Sequence, residues 1–290
     1  MFNGSGVAIV TPFTNGEVDI EKFKSLIDFH LKNNTQALIV LGTTGEATTI
    51  DGKEKELIIK TAVQHVNKKI PVIIGTGSNS TLTSIKYTKK AEELGADGAL
   101  VVTPYYNKAT QPGLIRHYTE IANSTKLPII LYNVPGRTCV NIEPETVAEL
   151  AKIENIIGIK EACGDMSQIL EIKRLVPADF KVYSGNDDNV VPICACGGNG
   201  VISVAANILP AEFQRMCELF FEGNLKGALE LQLKYKRLVD LLFIEVNPIP
   251  IKAAVSVMGY IENELRLPLT SIEENNMILL VEEMKKLQII

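Results

Sequence analysis

Short, unbroken apolar runs alternate with longer amphipathic stretches along most of this 290-residue chain. The runs are VAIV (7–10), ALIVLG (37–42), PVIIGTG (71–77), GALVVTP (98–104), PIILYNVP (128–135), IIGIKEA (156–162), KVYSG (181–185) and GVISVAA (200–206). They are rich in β-branched residues and show no polar alternation, the mark of strands buried on both faces in a parallel sheet. Between them, Ile20–Lys32, Lys53–Asn67 and Leu82–Leu94 carry a helical period. Asp51 and Ser80 stand where N-caps belong, and Gly95 follows Leu94 as a C-cap should.

Eight strands alternating with helices over the first part of the chain predict a closed (β/α)8 TIM barrel. The rival is a doubly wound open sheet, which normally carries a glycine-rich fingerprint after its first strand. Here that strand runs into Val10-Thr11-Pro12-Phe13, without such a motif. Glycine and polar residues instead follow many different strands, as in a site assembled from several βα loops. After about Glu222 the strands stop, and Leu225–Phe243, Ile251–Met258 and Ile272–Leu287 read as helices. The division expected is a catalytic barrel over 1–222 and a helical appendage over 223–290, packed on the barrel or on a partner subunit.

Composition narrows the function. The formal charge of −5 and the lack of any basic run argue against a nucleic-acid partner. No apolar run approaches the roughly 18 residues of a membrane span, and the N-terminus lacks a secretory signal, so the expected location is the cytoplasm. Five scattered cysteines suit no disulfide framework. Cys194-x-Cys196 has no second pair or histidine cluster to complete a metal set, so no metal is expected.

Reactive groups in a barrel sit at the C-terminal ends of strands. The second strand ends in Gly42-Thr43-Thr44-Gly45-Glu46, where free N–H groups and hydroxyls suit a carboxylate or phosphate, or simply a turn. The fourth ends in Tyr105-Tyr106-Asn107 and the fifth in Tyr132-Asn133-Val134-Pro135-Gly136-Arg137. A tyrosine there relays protons or caps the core; Arg137 grips a carboxylate or makes a surface salt bridge. In the sixth, Lys160 closes an almost wholly apolar run, and alternation turns Lys160 and Glu161 to opposite faces. Burial lowers a lysine pKa by up to ~3–5 units, which frees the amine to attack a carbonyl. The alternative is a rim lysine whose stem covers apolar wall. Asp187-Asp188 offers Mg²⁺ ligands or, more simply, a helix N-cap. GTGSNS (75–80) and GGNG (197–200) lack an adjacent cation and make poor phosphate cradles.

In order, GVAIVTPF, GTTGE, VTPYYN, YNVPGRT, GIKEA, GVISV and NPIPIKAA span essentially the whole chain. With them the chain resembles the dihydrodipicolinate synthase family of pyruvate-dependent class I aldolases. The resemblance implies a lyase that condenses pyruvate with aspartate semialdehyde in lysine and diaminopimelate biosynthesis, through a Schiff base on Lys160. It implies a proton relay of Tyr132, Thr43 and Tyr106, the last reaching into a neighbouring subunit's site. Thr44 would hold the pyruvate carboxylate, Gly185 and Ile202 would line the pyruvate pocket, and Arg137 would bind the aldehyde's carboxylate. No cofactor is required, and the expected assembly is a homotetramer built as a dimer of dimers. The alternatives are N-acetylneuraminate lyase or a keto-deoxy sugar acid aldolase of the same superfamily, and a non-catalytic metabolite-binding barrel. Tyr106 and Arg137 favour the synthase, because a short carboxylate-bearing aldehyde needs that arginine.

The resemblance also contains a departure. Members inhibited by lysine line a regulatory pocket with a Ser-Ala pair after GTTGE, nearby histidines, an Asn, a Glu and a Tyr. Here Asn79 and Tyr105 match, whereas Ala47, Thr48, Gly52, Lys55 and Thr83 do not. Loss of the acid at Thr83 and a cation at Lys55 imply weak or absent inhibition by lysine.

Overall fold

The computed structural model describes residues 1–290. β1 (Gly4–Ala8) opens the barrel and is followed by a small antiparallel hairpin, β2 (Phe13–Thr14) with β3 (Glu17–Val18). The chain continues through α1 (Ile20–Lys32), β4 (Ala37–Val40), α2 (Gly52–Val66), β5 (Val72–Gly75), α3 (Thr81–Glu93), β6 (Gly98–Val102) and α4 (Gln111–Asn123). Then come β7 (Ile129–Asn133), the one-turn α5 (Pro135–Thr138), α6 (Pro144–Leu150), β8 (Ile156–Glu161), α7 (Met166–Leu175), β9 (Lys181–Ser184), α8 (Val190–Ala195), β10 (Gly200–Ser203) and α9 (Pro210–Phe221). β1 and β4 to β10 pair in parallel and close on themselves, so the predicted barrel is the observed one.

The local reasons are those of the pattern. Asp51 caps α2 in a full capping box with Glu54, and Ser80 caps α3, each cap worth about 1 kcal/mol. One strand differs from expectation. β1 begins at Gly4, not Val7, because Gly4-Ser5-Gly6 lacks the apolar side chains that reveal a strand. Close packing selects those small residues: a Cβ on Gly6 would lie 2.8 Å from both Phe2 and Ile39.

The barrel is filled, not hollow. Phe2, Ala8, Ile39, Ile73, Leu100, Ile130, Tyr132, Tyr183 and Ile202 interlock inside it. At the N-terminal end Phe2 stacks on Tyr183 with ring centroids 4.5 Å apart, and the Tyr183 hydroxyl donates to the Phe2 carbonyl at 2.6 Å. That end is stoppered, which leaves the C-terminal rim for chemistry.

After α9 the tail forms α10 (Leu225–Leu242), α11 (Ile249–Val257) and α12 (Glu274–Lys286). Their apolar faces, including Leu238, Leu242, Ala254, Val255, Leu280 and Met284, join the core cluster that contains Val7, Leu38 and Ile74 of the barrel strands. The tail thus packs on its own barrel. No helix is long and apolar enough to cross a membrane.

Candidate active site

β7 and β8 pair so that Tyr132 lies beside Lys160 and Asn133 beside Glu161. The first pair faces inward and the second outward, as strand alternation demands. Lys160 is 5% exposed, and its Nζ lies 4.4 Å from the Tyr132 ring centroid. It belongs to none of the molecule's ion pairs, so its amine is held by burial and an aromatic face.

The outward pair forms a buried polar clamp. Asn133 Nδ2 donates to both Glu161 oxygens at 2.9 and 3.0 Å, and the Cys163 N–H and Gln168 Nε2 donate to the same carboxylate at 2.8 and 3.2 Å. Burial pushes the Glu161 carboxyl above the usual range, while these hydrogen bonds pull it back. The clamp ties together the strand ends that carry Tyr132 and Lys160.

A cavity of about 70 Å³ opens above Lys160, lined by Thr43, Thr44, Tyr132, Arg137, Lys160 and Gly185, with Val204, Phe243 and Asn247. It adjoins a second space of about 240 Å³ that shares Thr43, Tyr132 and Arg137 and is also lined by Ala47, Thr48 and Tyr105. Six of the eight expected site residues therefore meet at one mouth. Gly185 is required there by packing: a Cβ would lie 2.7 Å from Ala162 Cβ. Ile202 packs in the barrel interior with Tyr132, and Val204, two residues on, lines the cavity instead. Tyr106 is 95% exposed with φ +72, and within one chain it stands outside the cavity.

Several contributors carried no recognisable role in sequence. Asn247 in the tail donates from Nδ2 to Thr44 Oγ1 at 3.0 Å, while its carbonyl accepts from Arg137 Nη2 at 3.1 Å. One tail residue thereby fixes two sides of the mouth and leaves the rest of the guanidinium fork free. Asp187 does not cap its own helix, as Asp187-Asp188 had implied. Its buried Oδ2 accepts from the Val204 and Ala205 N–H groups at 3.0 and 2.8 Å, fastening the segment after β10 to the one after β9. Burial raises its carboxyl pKa. Leu41, Glu46 and Tyr106 all hold left-handed backbone at strand ends around the mouth, the kind of strain that collects at functional sites.

A buried lysine amine over a tyrosine ring, hydroxyls across the cavity and an open guanidinium together suit imine chemistry on a small carboxylate-bearing carbonyl compound. Comparison with known proteins agrees. The profile of the dihydrodipicolinate synthetase family matches residues 1–287. The chain belongs to this family. It is 68% identical over its full length, and over the full length of the relative, to a 4-hydroxy-tetrahydrodipicolinate synthase of Alkaliphilus oremlandii. The crystal structure of dihydrodipicolinate synthase from Thermotoga maritima matches with a TM-score of 0.99 and 49% identity, covering all of both chains. A monomeric dihydrodipicolinate synthase variant matches with a TM-score of 0.99 and 48% identity, over 100% of this chain and 98% of that one.

Proposed function

We propose that this chain condenses pyruvate with L-aspartate 4-semialdehyde to give 4-hydroxy-tetrahydrodipicolinate, and that Lys160 carries pyruvate as a Schiff base. The observation that carries the reading is the buried Lys160–Tyr132 pair at the base of a cavity ringed by Thr43, Thr44 and Arg137. Similarity along the whole chain to synthases of this family supports it.

The Lys160 amine attacks the pyruvate carbonyl carbon, and water leaves as the imine forms. The protonated imine then draws electrons from the methyl carbon, whose proton departs to give an enamine. The enamine carbon attacks the aldehyde. The substrate's own amine next adds to the imine carbon, closes the ring and releases Lys160. Each proton transfer needs a placed donor or acceptor, and Tyr132, Thr43 and Tyr106 fill those roles. Thr44 and the N–H groups of its turn hold the pyruvate carboxylate, with Gly185 leaving room beside it. Ile202 supports the pyruvate pocket from below. Arg137 binds the second carboxylate. No metal or organic cofactor enters this scheme.

Tyr106 can serve the relay only from a neighbouring copy, so the working unit is at least a dimer, and a dimer of dimers accommodates two such exchanges. As a member of a biosynthetic family it would act in the cytoplasm.

The test is borohydride reduction in the presence of pyruvate, followed by peptide mass analysis. A pyruvyl adduct on Lys160 is expected, and Lys160→Ala should yield none; a wild-type protein without the adduct refutes the mechanism. Aspartate semialdehyde should then turn over while N-acetylneuraminate does not.

A further inference from the structure

The Thr43-Thr44 turn is held from behind by the tail. Glu46 donates its N–H to the Thr43 carbonyl at 3.1 Å from a left-handed backbone with φ +53. Its side chain leaves the mouth and is buried. There Oε1 accepts from Lys252 Nζ of α11 at 2.7 Å, and Oε2 accepts from the Arg266 N–H at 3.1 Å. The Glu46 and Lys252 side chains are 1% and 0% exposed. Lys252 Nζ and the Arg266 guanidinium both lie against Phe13, 4.1 and 4.4 Å from its ring centroid. Arg266 in turn forks onto Glu54 of α2 at 2.5 and 2.7 Å. Burial pulls the Lys252 pKa down, and the Glu46 charge opposes that pull.

An ion pair this deep is a poor choice for stability alone, because desolvation consumes most of its attraction and well-packed apolar residues usually do as well. What it gives is direction: in a dry interior two hydrogen-bonded charges accept one geometry. Here that geometry is set three residues after Thr43 and two after Thr44, whose hydroxyl the same tail grips through Asn247.

We propose that Glu46 and Lys252 are positioning residues for proton transfer, their ion pair holding Thr43 at the angle the relay requires. The proposal rests on the reading of Thr43 as a relay hydroxyl. The step concerned is enamine formation. A methyl C–H bond of the pyruvate imine breaks, its electron pair becomes the new C=C bond, the C=N π pair moves to nitrogen, and the proton passes to the relay. Imine formation itself does not need the pair.

Two variants separate the steps. Glu46→Leu/Lys252→Met replaces the pair with apolar bulk, and Glu46→Gln keeps the shape and the acceptor oxygen but removes the charge. Enamine formation is read from the loss of the pyruvate methyl proton signal in D2O, with pyruvate as the sole substrate. Imine formation is read by borohydride trapping, and folding by thermal melting. The double variant should trap pyruvate on Lys160 as the wild type does, yet exchange its methyl protons about 100-fold more slowly, a loss typical of a misplaced group. Its kcat should fall in step, with KM for pyruvate within about twofold. Glu46→Gln should slow exchange by about tenfold. Wild-type exchange in a folded variant, or joint loss of trapping and exchange, overturns the proposal. Wild-type protein that traps no pyruvate would instead overturn the underlying reading of the site.

Discussion

His30 is fully enclosed on the inner face of α1, with Nδ1 beside the Thr35 hydroxyl at 3.3 Å and Nε2 without a partner. Burial drives its pKa down to about 3 from the ordinary 6.5. The unfolded chain therefore takes up a proton below about pH 6.5 that the folded protein refuses, and the stability present above that pH is lost as pH falls toward 3. Compared with His30→Gln, wild-type unfolding free energy should fall by about 1.4 kcal/mol per pH unit between pH 6.5 and 4.5. Urea titrations of both proteins at several pH values check this, because every other titration is common to the two; parallel profiles would contradict it. At this scale the sequence was only partly legible. Alternation showed that Lys160 and Glu161 part company but not which one faces inward. The clamp on Glu161 depends on the register of β7 against β8, and Asp187 reaches a segment 17 residues away. Such partners are set by topology, which no local pattern encodes.

Between elements, the groove of α2 and α3 bears on the expected weak response to lysine. Lys55 of α2 lies over the Tyr87 ring of α3 at 4.4 Å, in a groove that also holds Lys86, Lys90 and Glu56, with Lys90 paired to Glu93. That groove shares Leu41 and Gly75 with the space of about 240 Å³ beside the mouth, where Ala47, Thr48 and Tyr105 stand. A cationic amino acid approaching it meets the lysines Lys55 and Lys86, opposed only by Glu56. Assays across millimolar lysine should lose less than about twofold in rate; strong inhibition would show that Lys55 turns away or is neutralised. Most elements were visible in sequence because buried strands read as apolar runs and helix ends as caps. The tail helices fell within one or two residues of expectation, and α11 began at Ile249 with proline in its first turn. The β2–β3 hairpin was missed, since two-residue strands leave no pattern.

For the molecule as a whole, the exposure of Tyr106 is the decisive fact. On the proposed reading, a relay residue that faces solvent in one copy would make each site a shared one. Chains carrying Lys160→Ala and chains carrying Tyr106→Phe should each be weak alone. After dissociation and reassociation of an equal mixture, roughly a quarter of wild-type activity should return, because half of random twofold dimers are mixed and each mixed dimer regains one complete site. No recovery would show that Tyr106 does not act across the interface, and full activity of Tyr106→Phe alone would place it outside the relay. The tail, expected as an appendage, is joined to the barrel core and to the mouth through Asn247, Lys252 and Arg266.

The plug of Phe2 and Tyr183 has its own consequence. A barrel stopped at its base is a vessel with one neck. On the proposed mechanism pyruvate would go down first to reach Lys160, the aldehyde would follow and settle above it, and product would climb out past Arg137 before the next molecule descends. Traffic is thus queued by shape alone, and a surplus of the aldehyde arriving early would cork the neck against pyruvate.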